Sequence, residues 1–319
     1  MTHVLVTMPY QETHKQYMEN IGRNCIFTYR KKEDVQEADL KDVEIVLGNV
    51  DPKLLPKAEK LQWLQLNSAG AAEFCAPGVL KPETILTSAS GAYNLSVADW
   101  MLTASYMLAR KMDVYAKNQQ NHIWENAGNV CSITGSTVLV LGLGNIGRCY
   151  AKKVKALGAY VIGVTKHKRR EIPACADEMH TMEELPELLP RADFTVMILP
   201  GTEENKYVIR KRELALMKPT AYLINAGRGD AVDNRALNEA LRQGVIAGAA
   251  LDVTDPDPLP KDHPLWEAPR CIISPHISGK FYLPETFERI VRICGENLGR
   301  YLAGDRENMI NQVKRELGY

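Results

Sequence analysis

The stretch Ser136-Thr-Val-Leu-Val-Leu-Gly-Leu-Gly-Asn-Ile-Gly147 decides the fold. Residues 138–141 form a short apolar run with β-branched members, the composition of a buried parallel strand. Gly142, Gly144 and Gly147 follow at the G-x-G-x-x-G spacing. In that pattern the first glycine makes the tight turn. The second leaves backbone open to a pyrophosphate, and the third lets the next helix pack closely on the strand. A helix expected over 146–157 would aim its N-terminal N–H groups and dipole at the phosphates. The motif alone is weak, because glycine-rich turns serve many α/β domains. Here a second strand, expected over 160–164, completes the βαβ unit that the fingerprint requires.

Working outward, 319 residues are long for a single domain, so two are expected. A content of 45% apolar and 24% charged residues is ordinary for a globular protein in water. The formal net charge of zero argues against nucleic-acid or anionic-membrane partners. The seven cysteines are scattered and form no C-x-x-C or other metal spacing, which reads as reduced thiols in the cytoplasm with no metal site. The start, Met-Thr-His-Val-Leu-Val-Thr-Met-Pro, lacks the basic region and long apolar core of a signal peptide and reads as a first strand. No run approaches the ~18 apolar residues that span a bilayer.

Before the glycine motif, strands are expected over 4–7, 25–28, 44–47, 63–66 and 84–87, with helix-compatible segments at 11–21 and 53–60 between them. This is a small parallel α/β domain without a glycine fingerprint of its own. Its loops 67–71 and 88–94 are rich in small residues, suited to close backbone approach to a ligand or to plain turns. Residues 94–112 read as one helix, apolar on more than one face, with Asn94 or Ser96 as N-cap and Asp99 near the first turn. Such a helix is buried, either at a crossing into the second domain and a dimer contact or in one subunit's core. After the motif, strands are expected over 195–199, 222–225, 246–251 and 271–274, and helices over 185–189, 211–217 and 234–242. A last helix, 284–302, carries Phe287, Ile290, Val291, Cys294, Leu298, Tyr301 and Leu302 on one face. The expected fold is two Rossmann-like, doubly wound parallel-sheet domains. A dinucleotide-binding domain, 99–285, is inserted into a smaller flavodoxin-like substrate domain, 1–98, to which 286–319 return.

Dinucleotide units that take NAD usually end the second strand with a carboxylate for the ribose hydroxyls. Here the position is Thr165, followed by Lys166-His-Lys-Arg-Arg170. A carboxylate would repel a 2′-phosphate, whereas Lys166, Lys168 and Arg169 would attract it. The run therefore points to NADP(H) over NAD(H), with a solvated basic loop as the plain alternative.

Three further segments fall at strand ends: Ile224-Asn-Ala-Gly-Arg-Gly-Asp-Ala-Val-Asp233, Ala250-Leu-Asp-Val-Thr-Asp-Pro-Asp-Pro-Leu-Pro260, and His263-Pro-Leu-Trp266 leading to Ser274-Pro-His-Ile-Ser-Gly279. Singly, each has a structural reading. In this order, after the glycine motif, they resemble the D-isomer-specific 2-hydroxyacid dehydrogenase family over nearly the whole chain. The resemblance implies a hydride transfer between a nicotinamide dinucleotide and a small 2-oxo/2-hydroxy acid such as glyoxylate or hydroxypyruvate. It also implies roles for particular residues. Arg228 would bind the substrate carboxylate and keto oxygen, a task suited to a guanidinium fork. His276 would be the acid/base, and Asp257, where the family usually has Glu before Pro-Leu-Pro, would be its partner. That aspartate is one methylene shorter, so the backbone must approach or the contact loosen. Asp252 would lie near the nicotinamide amide. Asn145 and Ile146 would meet the pyrophosphate. Leu199, Pro200, Ala226, Gly227, Ser278 and Gly279 would line the nicotinamide side. Ser68, Ala69 and Gly70 would meet the substrate carboxylate through backbone N–H groups. A homodimer is expected. Two rival readings remain on the same fold: phosphoglycerate dehydrogenase, for which loops 67–71 and 90–94 offer no basic residue, and a dinucleotide-sensing binding protein without turnover.

Overall fold

The computed structural model describes residues 1–168 and 170–316. It divides into two units, Met1–Tyr93 with Phe281–Tyr319, and Asn94–Lys280. The first holds strands β1 (Thr2–Val6), β2 (Cys25–Tyr29), β3 (Ile45–Leu47), β4 (Trp63–Gln65) and β5 (Ile85–Thr87). They form a parallel sheet in the order β2-β1-β3-β4-β5, the flavodoxin-like order. All of β3 and β4 is buried, as the apolar runs require. The segment expected as a helix over 53–60 is instead a 3₁₀ turn, Pro52–Lys57; Pro56 has no N–H to continue an α-helix. The helix Pro284–Leu302 buries Ile290, Val291, Cys294, Leu298 and Tyr301, while Leu302 is exposed rather than on that face.

The second unit contains β6 (Thr137–Leu141), β7 (Tyr160–Thr165), β8 (Glu178–Thr181), β9 (Phe194–Met197), β10 (Tyr222–Asn225), β11 (Gly248–Leu251) and β12 (Cys271–Ile273). These are parallel, in the order β12-β11-β10-β9-β6-β7-β8. The order reverses between β6 and β9, and a ligand crevice is expected beyond the carboxyl ends of strands at such a switch. Strand β8 was not legible from pattern, because Glu-Met-His-Thr is polar; it is an edge strand with only intermediate burial.

The apolar helix ends earlier than its pattern suggests. It runs Asn94–Ala109, Lys111 takes a left-handed φ of 55°, and a second helix, Met112–Gln120, follows. Val97, Ala98, Met101, Ala104, Ser105, Leu108 and Ala109 are buried, and the helix packs on β10, β11 and the helix Asn145–Ala156 of its own unit. The core reading thus accounts for its inner face. Asp99 lies beyond the first turn and pairs with Lys153 Nζ at 2.8 Å. Asn94 Oδ1 is buried without a hydrogen-bond partner among the described residues, so it is no cap. Ser96 Oγ instead donates to the Ser278 carbonyl at 2.6 Å.

Candidate active site

The glycine turn is built as its spacing demands. Gly142 has a φ of +99°, and a Cβ there would lie 2.4 Å from the Ile198 carbonyl oxygen. A Cβ on Gly147 would lie 2.1 Å from the Gly142 carbonyl oxygen, so the helix could not sit so near its strand. At Gly144 a Cβ would meet nothing within 4 Å; that face is open. The helix Asn145–Ala156 starts there without a side-chain cap and buries Gly147, Tyr150, Ala151 and Val154. Its first N–H groups, beside Asn145 and Ile146, therefore face an open cradle. This fits a dinucleotide pyrophosphate, which needs bare donors and close backbone.

At the carboxyl end of β10 the Asn-Ala-Gly-Arg-Gly segment forms a turn held by Asn225. Its Oδ1 accepts from Gly227 N at 3.0 Å, and its Nδ2 donates to the Arg228 carbonyl at 2.8 Å. A Cβ at Gly229 would lie 1.9 Å from the Thr254 carbonyl oxygen, so this turn requires glycine after the arginine. Arg228 is thereby presented outward and exposed, its stem against Gly201 and one Nη on the Gly227 carbonyl at 2.8 Å. Sequence reasoning read the arginine and passed over Asn225; an asparagine two residues before a glycine was the available signal.

The loop after β12 carries His276. Its φ is 51°, a left-handed conformation that costs a non-glycine residue free energy unless surroundings enforce it. Asp252, at the end of β11 and only 1% exposed, enforces it. Its carboxylate accepts from Ser274 Oγ at 2.6 Å, Ile277 N at 2.9 Å, Ser278 N at 2.9 Å and Ser278 Oγ at 2.5 Å. Its carbonyl accepts from His276 N at 2.9 Å. His276 Nδ1 lies 2.7 Å from Asp257 Oδ2, so the shorter carboxylate reaches the ring. Asp255 turns elsewhere, to Tyr207 Oη at 3.4 Å. A hollow of about 450 Å³ beside the pair is lined by Asp257, Leu259, Trp266, His276, Gly279 and Lys280 among others. Burial pushes the thiol of Cys271, in β12, up to about 12, which keeps it protonated and non-nucleophilic.

Leu199 is buried and Pro200 exposed at the end of β9, next to the Ala226–Arg228 turn in sheet order. Thr165 closes β7 and its hydroxyl donates to the His167 carbonyl at 2.9 Å. Lys166 pairs with Glu204 at 2.7 Å, and Lys168 is exposed. Arg169 lies outside the described residues. In the first unit, Ser68, Ala69 and Gly70 follow β4. Asn49 and Asn67 clasp this loop to the end of β3: each side-chain oxygen accepts from the other's backbone N–H, at 3.2 and 2.9 Å. Asn49 Nδ2 also donates to Ser68 Oγ at 3.1 Å. Among the described residues nothing accepts from the backbone N–H groups of Ser68, Ala69 or Gly70, as an anion-binding loop requires. No three His, Cys, Asp or Glu side chains among the described residues are grouped to hold a metal ion, and no described helix is long and apolar enough to cross a membrane.

A doubly wound unit with an open glycine cradle, an outward arginine and a carboxylate-paired histidine defines a nicotinamide-dinucleotide oxidoreductase. Residues 102–278 match the model of the NAD-binding domain of D-isomer-specific 2-hydroxyacid dehydrogenases. The chain is 32% identical over 272 residues to a glyoxylate/hydroxypyruvate reductase B of Pectobacterium carotovorum, covering 83% of each. It is 29% identical to a D-3-phosphoglycerate dehydrogenase of Methanocaldococcus jannaschii, over 98% of this chain and 60% of that one. A solved D-isomer-specific 2-hydroxyacid dehydrogenase of Xanthobacter autotrophicus Py2, in complex with NADPH and MES, superposes with a TM-score of 0.83 at 25% identity, covering 100% and 99%. The chain belongs to the D-isomer-specific 2-hydroxyacid dehydrogenase family. It is an oxidoreductase acting on CH–OH donors with a nicotinamide dinucleotide.

Proposed function

We propose that this chain is a reductase of a small 2-oxo acid, glyoxylate or hydroxypyruvate being the leading candidates, with NADP(H) preferred and NAD(H) the alternative. The observation that carries the reading is the pairing of His276 with Asp257 at 2.7 Å in the unit that presents Arg228 and the glycine cradle. The coenzyme, when bound, supplies or accepts the hydride. Arg228 binds the substrate carboxylate through its fork and orients the keto carbon. His276 moves the proton at Nε2, because Nδ1 is engaged by Asp257. In reduction it donates to the keto oxygen, and in oxidation it removes the hydroxyl proton. Ser68, Ala69 and Gly70 offer N–H groups to the substrate carboxylate. Gly142, Gly144, Asn145, Ile146 and Gly147 take the pyrophosphate. Leu199, Pro200, Ala226, Gly227, Asp252, Ser278 and Gly279 surround the nicotinamide.

The preference for NADP(H) rests on Thr165 in place of a carboxylate and on the following basic run; the NADPH complex of the Xanthobacter relative supports it. A homodimer is supported by exposed Tyr106, Met112, Ile123 and Trp124 on and after the paired helices, and sedimentation would test it. The deciding assay follows loss of reduced-nicotinamide absorbance with NADPH and NADH against a panel of 2-oxo acids. Turnover of one short acid with NADPH is the expected result. Turnover of a phosphorylated 2-oxo acid alone would install the phosphoglycerate reading, which the Methanocaldococcus relative favours. Coenzyme binding without turnover of any acid would favour the sensor.

A further inference from the structure

The usual carboxylate at the end of β7 is missing from the sequence, yet a carboxylate from another loop meets the lysine that follows Thr165. Strand β6 lies between β7 and β9, so the loops after β7 and β9 flank the glycine loop. Lys166, first in the loop after β7, joins Glu204 in the loop after β9, with Nζ 2.7 Å from Oε2 and 3.0 Å from Oε1. Glu204 is fixed in a 3₁₀ turn, Glu203–Asn205, which Asn205 Nδ2 pins to the Pro200 carbonyl at 3.0 Å. That loop meets both ends of the site, since Gly201 packs on the Arg228 stem. Beside the basic run, Arg148, Arg170, Glu171, Ile172 and Pro173 line a hollow of about 430 Å³.

We propose that Glu204 is a coenzyme-selecting residue that restrains binding of a 2′-phosphorylated ribose by holding Lys166. A 2′-phosphate takes Lys166 from Glu204 and then sits near an unpaired carboxylate, an unfavourable like-charge approach. A ribose with a free 2′-hydroxyl makes no such demand and leaves the ion pair intact. The basic run and Glu204 thus act in opposition, and their balance sets the ratio of NADP to NAD affinity. This inference rests on the reading that the adenosine ribose lies at the end of β7.

The test is calorimetric titration of the whole protein with 2′,5′-ADP and with 5′-ADP at low ionic strength, where exposed charges are least screened. Wild type, Glu204→Gln and Lys166→Met are compared. Both side chains are more than half exposed, so neither change threatens folding. Glu204→Gln should tighten 2′,5′-ADP about five-fold, the scale of one exposed charge pair, and leave 5′-ADP within about two-fold. Lys166→Met should weaken 2′,5′-ADP more in the Glu204→Gln background than in wild type. Unchanged or weaker 2′,5′-ADP binding in Glu204→Gln, or equal tightening of both ligands, would overturn the proposal. Wild type binding the two ligands equally would instead refute the NADP(H) preference, and selective tightening in the variant would then still uphold Glu204. If neither ligand binds, both readings fall.

Discussion

The two ends of the dinucleotide unit's site are held by opposite means. At the reacting end, His276 is locked by a carboxylate that is 1% exposed and receives four donors from one loop. At the adenosine end, Lys166 and Glu204 meet with side chains 57% and 66% exposed. Buried charge-assisted hydrogen bonds fix geometry, because losing one leaves an unpaired group in a low dielectric. Exposed pairs contribute little and exchange partners readily. The backbone of His276 is thus set rigidly, while the proposed choice of coenzyme would rest on contacts that a single substitution can retune.

The comparison breaks most sharply at His276. His276→Gln should lower kcat about 10³-fold with coenzyme affinity retained, the range for loss of a general acid/base; steady-state rates with coenzyme titration check both halves. Arg228→Lys should follow, with kcat/KM down about 10²-fold because a point charge replaces a planar fork. Full activity in that variant would refute the arginine's orienting role. Asp257→Asn should cost about 10-fold or more in kcat while substrate KM stays within a few-fold, since the ring loses its anionic partner rather than a substrate contact. Asp252→Asn should destabilise the second unit by about 2 kcal/mol, as one buried acceptor becomes a donor facing donors; urea unfolding reads this. The smallest effect belongs to the exposed edge of β8. There, hydrogen bonds to Glu184 and Glu178 raise His180 above its ordinary 6.5, and Arg191 holds Glu178 down at about 2. The His180 contribution is complete below pH 6.5 and is lost as pH rises through its raised value. That of Glu178 is present above its ordinary 4.5 and is lost as pH falls toward about 2. His180→Ala should therefore cost under ~1 kcal/mol between those limits and nothing at pH 9, which paired melts at pH 5.5 and 9 would resolve.

What the sequence disclosed follows the same division. Gly147 answers to the nearby Gly142 carbonyl, so local spacing reveals it, whereas Gly142 and Gly229 press on the distant Ile198 and Thr254 carbonyls and are legible only through the motifs that contain them. The arginine turn and the histidine loop were legible as motifs whose order after the glycine turn resembles a known family. Asp257 was identified by its place before Pro-Leu-Pro, but its reach to His276 depended on how two loops approach. Asp252 was assigned only to the coenzyme, and its grip on the Ser274–Ser278 loop emerges in three dimensions. Glu204 was invisible, because its partner lies 38 residues away in a different loop. The polar strand β8 and the break at Lys111 eluded pattern because register and packing, not hydrophobic period, create them.

The first unit is assembled from two stretches separated by the whole of the second. Asn311 accepts from Ser88 N at 3.0 Å and donates through its side chain to the Ser90 carbonyl at 2.8 Å, while Asn297 reaches Gln65 at 2.9 Å. During synthesis, residues 1–93 must therefore wait, with part of their sheet uncovered, until residues 281–311 have left the ribosome. The dinucleotide unit, continuous in sequence, can fold in that interval.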